Sequence, residues 1–161
     1  MPNLPRKKVG LISCSGEELP EGTVTRRAVR KVLETLRPDD TVTLCLPLFL
    51  AGGEGERAFA RYYSTIAVDG CDKRCAALAT EKYSARPAAS IVATEVAKES
   101  GCATIGTARR LDASGMRLAD AVAEKIVKET DRLLKRKPKG MAGGPGREKR
   151  CWPKPNSTKP P

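Results

Sequence analysis

The stretch Thr65-Ile66-Ala67-Val68-Asp69-Gly70-Cys71-Asp72-Lys73-Arg74-Cys75, followed by Ala76-Ala77-Leu78-Ala79-Thr80, decides the fold. Thr65 to Val68 reads as a buried strand, Asp69-Gly70 turns the chain, and a helical pattern covers about Cys71 to Tyr83. A buried strand feeding a helix is half of a βαβ unit. Two cysteines four residues apart fall on one face of a first helical turn, where the positive helix end, Lys73 and Arg74 favour thiolates. The plainer reading makes both of them small residues facing a core, and the spacing alone leaves the two readings open.

The same pattern recurs on either side. Val9 to Ser13 is an apolar run ending at Cys14-Ser15-Gly16, and Thr23 to Leu36 is an amphipathic helix with Thr23 as its expected cap. Pro38-Asp39-Asp40 marks a turn, Thr41 to Leu46 is a β-branched strand carrying Cys45, and Pro47 halts it. Residues 48 to 55 are apolar and then glycine-rich, and Glu54 to Tyr63 fits a helix. Arg86-Pro87 breaks the helix that follows the third strand, and Ala89 to Val96 reads as a fourth strand, although Ala93 to Glu99 fits a helix equally well. Residues 100 to 110 show no clear pattern. Leu111 to Leu134 is the longest helical pattern, with Leu118, Val122, Ile126 and Leu133 near one face and Asp112 or Ser114 as its cap. Four strands alternating with helices predict a three-layer α/β domain: a mainly parallel four-stranded sheet with helices on both faces.

At 161 residues and 40% hydrophobic the chain can enclose one core, and with six aromatic residues that core should be aliphatic. The formal charge of +11 is unevenly placed. Lys135 to Pro161 holds nine Lys/Arg and one Glu, which leaves 21 Lys/Arg against 18 Asp/Glu, or +3, for residues 1 to 134. The expected organisation is therefore an α/β domain over residues 1 to 134 and a basic, Pro/Gly-rich disordered tail over 135 to 161. Such a tail predicts at most weak, nonspecific contact with nucleic acid, and the scarcity of aromatics argues against base stacking on single strands. No stretch approaches the ~20 apolar residues that span a bilayer, and the amino terminus lacks the apolar core of a secretory signal. A cytoplasmic protein without membrane contact is expected.

In a reducing compartment, six cysteines point to metal ligands or redox thiols before a disulfide framework. Histidine is absent, which excludes mixed Cys/His zinc sites, Ser-His-Asp and Cys-His catalysis, and histidine proton shuttles. The carboxyl ends of parallel strands share one edge of the sheet, so Cys14, Cys45, Cys71 and Cys75 should converge there. One buried cysteine at a strand end is ordinary packing. Three strand ends that each carry thiols favour a shared metal site.

Other motifs carry less. Ser13, Ser15 and Gly16 with Gly22 could wrap a phosphate, but Glu17 and Glu18 would repel an anion, and an ordinary loop is the simpler reading. The position where a tyrosine-phosphatase-like loop needs arginine after Cys14 holds Pro20. Asp69 serves either as a turn former or as an acceptor that orients ligands or backbone N–H groups. Cys102 reads as packing or a resolving thiol, Cys151 as an incidental tail thiol, and Arg109-Arg110 as solvated charge.

Cys-Ser-Gly after the first strand, Cys-Leu-Pro with a following Ala-Gly after the second, and Asp69-Gly70-Cys71-x-x-x-Cys75 after the third resemble the DGC-domain proteins, over about residues 8 to 110 and at most to 134. The resemblance implies four shared cysteines, Cys14, Cys45, Cys71 and Cys75, that bind zinc, and it implies no established reaction. Four thiolates make a closed tetrahedral zinc shell at about 2.3 Å, suited to structural or storage roles. The same donors suit an iron-sulfur cluster. The expected function is metal handling or a metal-stabilised module for a protein partner; the alternative is a sulfur or redox carrier or enzyme using Cys71 and Cys75.

Overall fold

The computed structural model describes residues 7–102 and 104–135, so the expectations for the tail beyond Lys135 and for Cys151 lie outside the described residues. Four strands, β1 (Val9–Ser13), β2 (Thr41–Thr43), β3 (Ser64–Asp69) and β4 (Ala89–Val92), form one parallel sheet in the order β2-β1-β3-β4. Helices α1 (Pro20–Lys31), α2 (Leu46–Ala51), α3 (Glu54–Tyr62), α4 (Cys75–Tyr83), α5 (Ala93–Glu99) and α6 (Ala113–Lys135) connect and follow the strands. This is the expected α/β fold.

The alternation of side chains along the strands divides the core in two. Val9 and Leu11 of β1 and Ile66 and Val68 of β3 face a large apolar cluster with Val24, Ala28 and Val29 of α1, Val96 of α5 and Leu118, Val122 and Ile126 of α6. Ile12 points to the opposite face, where it packs with Phe59 of α3 and Ala76 of α4. Gly10 leaves room for the Phe59 ring: an added Cβ would lie 2.5 Å from its Cε1. The helices thus cover both faces, and α1 runs beside α6, tied by Lys31–Asp120 and by a two-bond Arg37–Asp131 pair at 3.0 and 2.9 Å.

Several local expectations are corrected. The first helix begins at Pro20 rather than Thr23, because proline's missing N–H and fixed φ suit a first helical position, and it ends in a π-helical turn, Val32–Leu36. Strand β2 stops at Thr43, so Pro47 starts α2 as well as barring the strand. The apolar run after it is helix α2, which buries Phe49. The fourth strand ends at Val92, and Ala93 begins α5 directly. Asp112 is the cap of α6: its Oδ1 accepts the Gly115 N–H at 2.7 Å.

Candidate metal centre

The neighbours β1 and β3 send their chains to opposite faces of the sheet, β1 into α1 and β3 into α4, so a crevice opens beyond their carboxyl ends. Ligand sites of open parallel sheets form at such a switch point. Ser13 pairs with Val68, and the Cys14 N–H continues the ladder to the Val68 carbonyl at 2.8 Å, which puts Cys14 one residue past the last paired position of β1. Cys71 stands two residues beyond the end of β3, and Cys45 two residues beyond the end of β2 on the other flank of β1.

Three glycines let the loops of the crevice meet. A Cβ on Gly22, in the first turn of α1, would lie 2.2 Å from the Gly16 carbonyl oxygen, and one on Gly70 would lie 3.1 Å from the backbone of Glu21 and Gly22. Gly16 also has φ +40°, a left-handed conformation suited to glycine. The β1–α1 loop, the first turn of α1 and the β3–α4 loop therefore touch backbone to backbone. This contact aims the Gly70 and Gly16 N–H groups at the Cys14 sulfur.

Cys14 is half-buried, packed against the Ile12, Phe59 and Ala76 cluster. Burial pushes its thiol above the ordinary value; the Gly70 N–H opposes this, while the negative charges of Asp69 and Cys75 reinforce it. Cys75 is thus close enough to Cys14 to act on it through space. Asp69, 1% exposed, ends β3 and receives the N–H groups of Ala76 at 2.7 Å and Ala77 at 3.1 Å, capping α4 from seven residues upstream. Burial raises its carboxyl above the ordinary value, and those two hydrogen bonds and the Arg74 charge pull in the other direction. Of the roles open to Asp69, the structure assigns that of backbone acceptor.

The expected placement of Cys71 in the first turn of α4 is corrected. Helix α4 starts at Cys75, and the preceding turn closes with an Arg74 N–H to Cys71 carbonyl bond of 3.2 Å. Arg74 adopts φ +50°, the left-handed region, and is the one non-glycine residue among those described that does so. That reversal separates Cys71 from the helix, so Cys71 is half-buried while Cys75, at the exposed helix start, faces solvent. Cys45 is exposed as well, at the position just before α2. Cys102 lies elsewhere, partly buried against the α1/α6 core.

As the side chains stand, no three His, Cys, Asp or Glu residues among those described form a metal-holding group. The donor chemistry fits a thiophilic metal: cysteines follow three adjacent strands, the chain lacks histidine, and backbone N–H groups face the Cys14 sulfur, where they would offset the charge of a thiolate. The glycine contacts, which hold Cys14 in place, were missed in the sequence reading. Their signal was present as Gly16, Gly22 and Gly70, each beside a strand end or helix start, but only the fold pairs them.

No curated protein and no solved structure matches the chain. A family model described as the DGC domain matches residues 10–126, a span that contains Cys14, Cys45, Cys71, Cys75 and Cys102. That match covers well over half of the 161 residues, and the chain belongs to the DGC-domain family.

Proposed function

We propose that the protein binds zinc through Cys14, Cys45, Cys71 and Cys75 and acts in metal handling or as a metal-stabilised interaction module. The observation that carries this reading is the strand order, in which β2, β1 and β3 lie side by side and each is followed by a cysteine. Cys14 and Cys71 would form the fixed part of the shell, and Cys45 and Cys75 would join it from exposed positions before α2 and α4. When bound, zinc would supply a closed thiolate cross-link between three loops, and folding and metal affinity would be coupled. The cytoplasm is the compartment that keeps such thiols reduced. Among the described residues no helix is long and apolar enough to cross a membrane.

The test is element analysis with an ultraviolet-visible spectrum of the full chain purified without oxygen. One colourless zinc per chain, lost or reduced in each of Cys14→Ser, Cys45→Ser, Cys71→Ser and Cys75→Ser but retained in Cys102→Ser, is the expected result. A brown chromophore would assign an iron-sulfur cluster instead. A second reading, a thiol carrier using Cys71 and Cys75, draws on the exposure of Cys75 at a helix start. Metal-free protein with a rapidly alkylated Cys75 would replace the zinc reading with that one.

A further inference from the structure

The folded domain is close to neutral in total, yet its cations are not evenly spread. A shallow groove of about 390 Å³ runs between α1 and α6, lined on the α1 side by Arg26, Arg27, Arg30 and Lys31. The loop carrying Arg109 and Arg110 is pinned to the start of α1, because the Thr23 hydroxyl donates to the Ala108 carbonyl and the Arg26 guanidinium donates to Thr23 at 2.9 Å. Helix α1 thus brings four cations to the groove, which Glu34 and Asp120 also line, and the loop pinned to the start of α1 adds Arg109 and Arg110 beside it.

Their partners are few. Arg26 pairs with Glu17 at 3.4 Å, Lys31 with Asp120 at 2.8 Å, and Arg30 with Glu34. The Arg30 and Lys31 pairs are exposed, and such pairs exchange readily for another anion because each is worth only about 0–1 kcal/mol, whereas the Arg26 nitrogen that faces Glu17 is buried. Arg27, Arg109 and Arg110 have no side-chain anion among the described residues. Five of the six are arginines, whose planar forks match phosphate oxygens two at a time. The groove residues include no aromatic ring on which a base could stack.

We propose that the α1–α6 groove and the 107–110 loop form a phosphate-binding face for duplex nucleic acid, read through its backbone and without base specificity. The groove lies beside the first half of α6, and the composition of residues 135 to 161 adds +8 to the attraction of the same chain for phosphates. The domain, and not the segment alone, then supplies part of the binding. The proposal is independent of the cysteine site.

The test is fluorescence anisotropy of a labelled mixed-sequence DNA duplex across a salt series, with the full chain and the triple variant Arg27→Gln, Arg109→Gln, Arg110→Gln. These residues are exposed, and a thermal melt followed by circular dichroism verifies that the variant is folded. Losing three phosphate contacts should lower the slope of log K against log salt by about 2.7 and weaken binding at least tenfold at low salt. A matching triple variant on the opposite layer, Arg61→Gln, Lys82→Gln, Arg86→Gln, should leave the slope within one contact of the parent. An equal loss in both triple variants, no loss in either, or equally effective displacement of the duplex by polyglutamate would overturn the proposal.

Discussion

Cys14 and Cys45 follow adjacent parallel strands, yet their surroundings differ in kind. Cys14 is half-buried, its sulfur faced by two backbone N–H groups and its loop clamped by the Gly16–Gly22–Gly70 contact. Cys45 is exposed before a six-residue helix, and no side chain caps that helix. One flank of the sheet edge is set by packing on folding. The other presents its thiol to solvent on a short element, as a group that can be drawn in or exchanged. A metal held by both thiols would therefore have one fixed ligand and one adjustable ligand.

The sharpest way to break the comparison is to wedge the clamped flank. Gly22→Ala puts a carbon 2.2 Å from a backbone oxygen that cannot swing aside, and it should destabilise the domain by about 3 kcal/mol or more, read as a large drop in melting temperature. Gly55→Ala is the control beside the open flank. Its Cβ would meet nothing within 4 Å, so the same change inside α3 should be neutral or stabilising by up to ~1 kcal/mol.

Next in size is the cap that fixes the start of α4. Asp69→Ala leaves the buried Ala76 and Ala77 N–H groups without their acceptor and should cost about 2–3 kcal/mol in urea unfolding. Its pH dependence has a definite sign. Because the folded-state carboxyl is raised above 3.8, the folded protein holds the proton more tightly; the associated stability is present below 3.8 and is lost as pH rises through the folded value. Asp131 behaves oppositely. Its hydrogen bonds with Arg37 lower the carboxyl below 3.8, giving stability present above 3.8 that is lost as pH falls through the folded value. Asp69→Asn should remove the first slope and Asp131→Asn the second, in unfolding followed across acid pH.

A smaller contrast lies in the thiols themselves. In metal-free protein, Cys14→Ser puts a hydroxyl against Ile12 and Phe59 and should cost about 1 kcal/mol, whereas Cys45→Ser should fall within ~0.5 kcal/mol. Under native conditions a thiol reagent should label Cys45 and Cys75 well before Cys14, and mass spectrometry of timed digests would read the order. Equal labelling of Cys14 and Cys45 would erase the distinction between the flanks. At neutral pH Asp131→Asn should cost less than the Asp69 change, because water screens a two-bond ion pair whose partners are both partly exposed.

Much of this was legible along the chain. β1 spans the predicted Val9–Ser13, and α3 and α6 match their predicted patterns to within two residues, because each shows an uninterrupted apolar period. Cys-Ser-Gly, Cys-Leu-Pro and Asp-Gly-Cys signalled both the strand ends and the family. Helix α2 was not legible: Leu46 to Ala51 is too short and too uniformly apolar for its period to show. The start of α4 misled because Arg74, with no residue-type signal, takes the left-handed conformation that glycine usually takes.

By itself, then, the sequence determined the α/β class, the absence of histidine and the positions of the cysteines at or just after strands. These follow from residue type and local period, which need no partner elsewhere in the chain. Tertiary structure decided the strand order β2-β1-β3-β4, the backbone contact among Gly16, Gly22 and Gly70, the reach of Asp69 to α4 and the docking of the loop that carries Arg109 and Arg110 against the start of α1. Each joins residues on different elements, and such a distance is fixed only when the two faces of the sheet bury their separate apolar clusters and the helices settle against them.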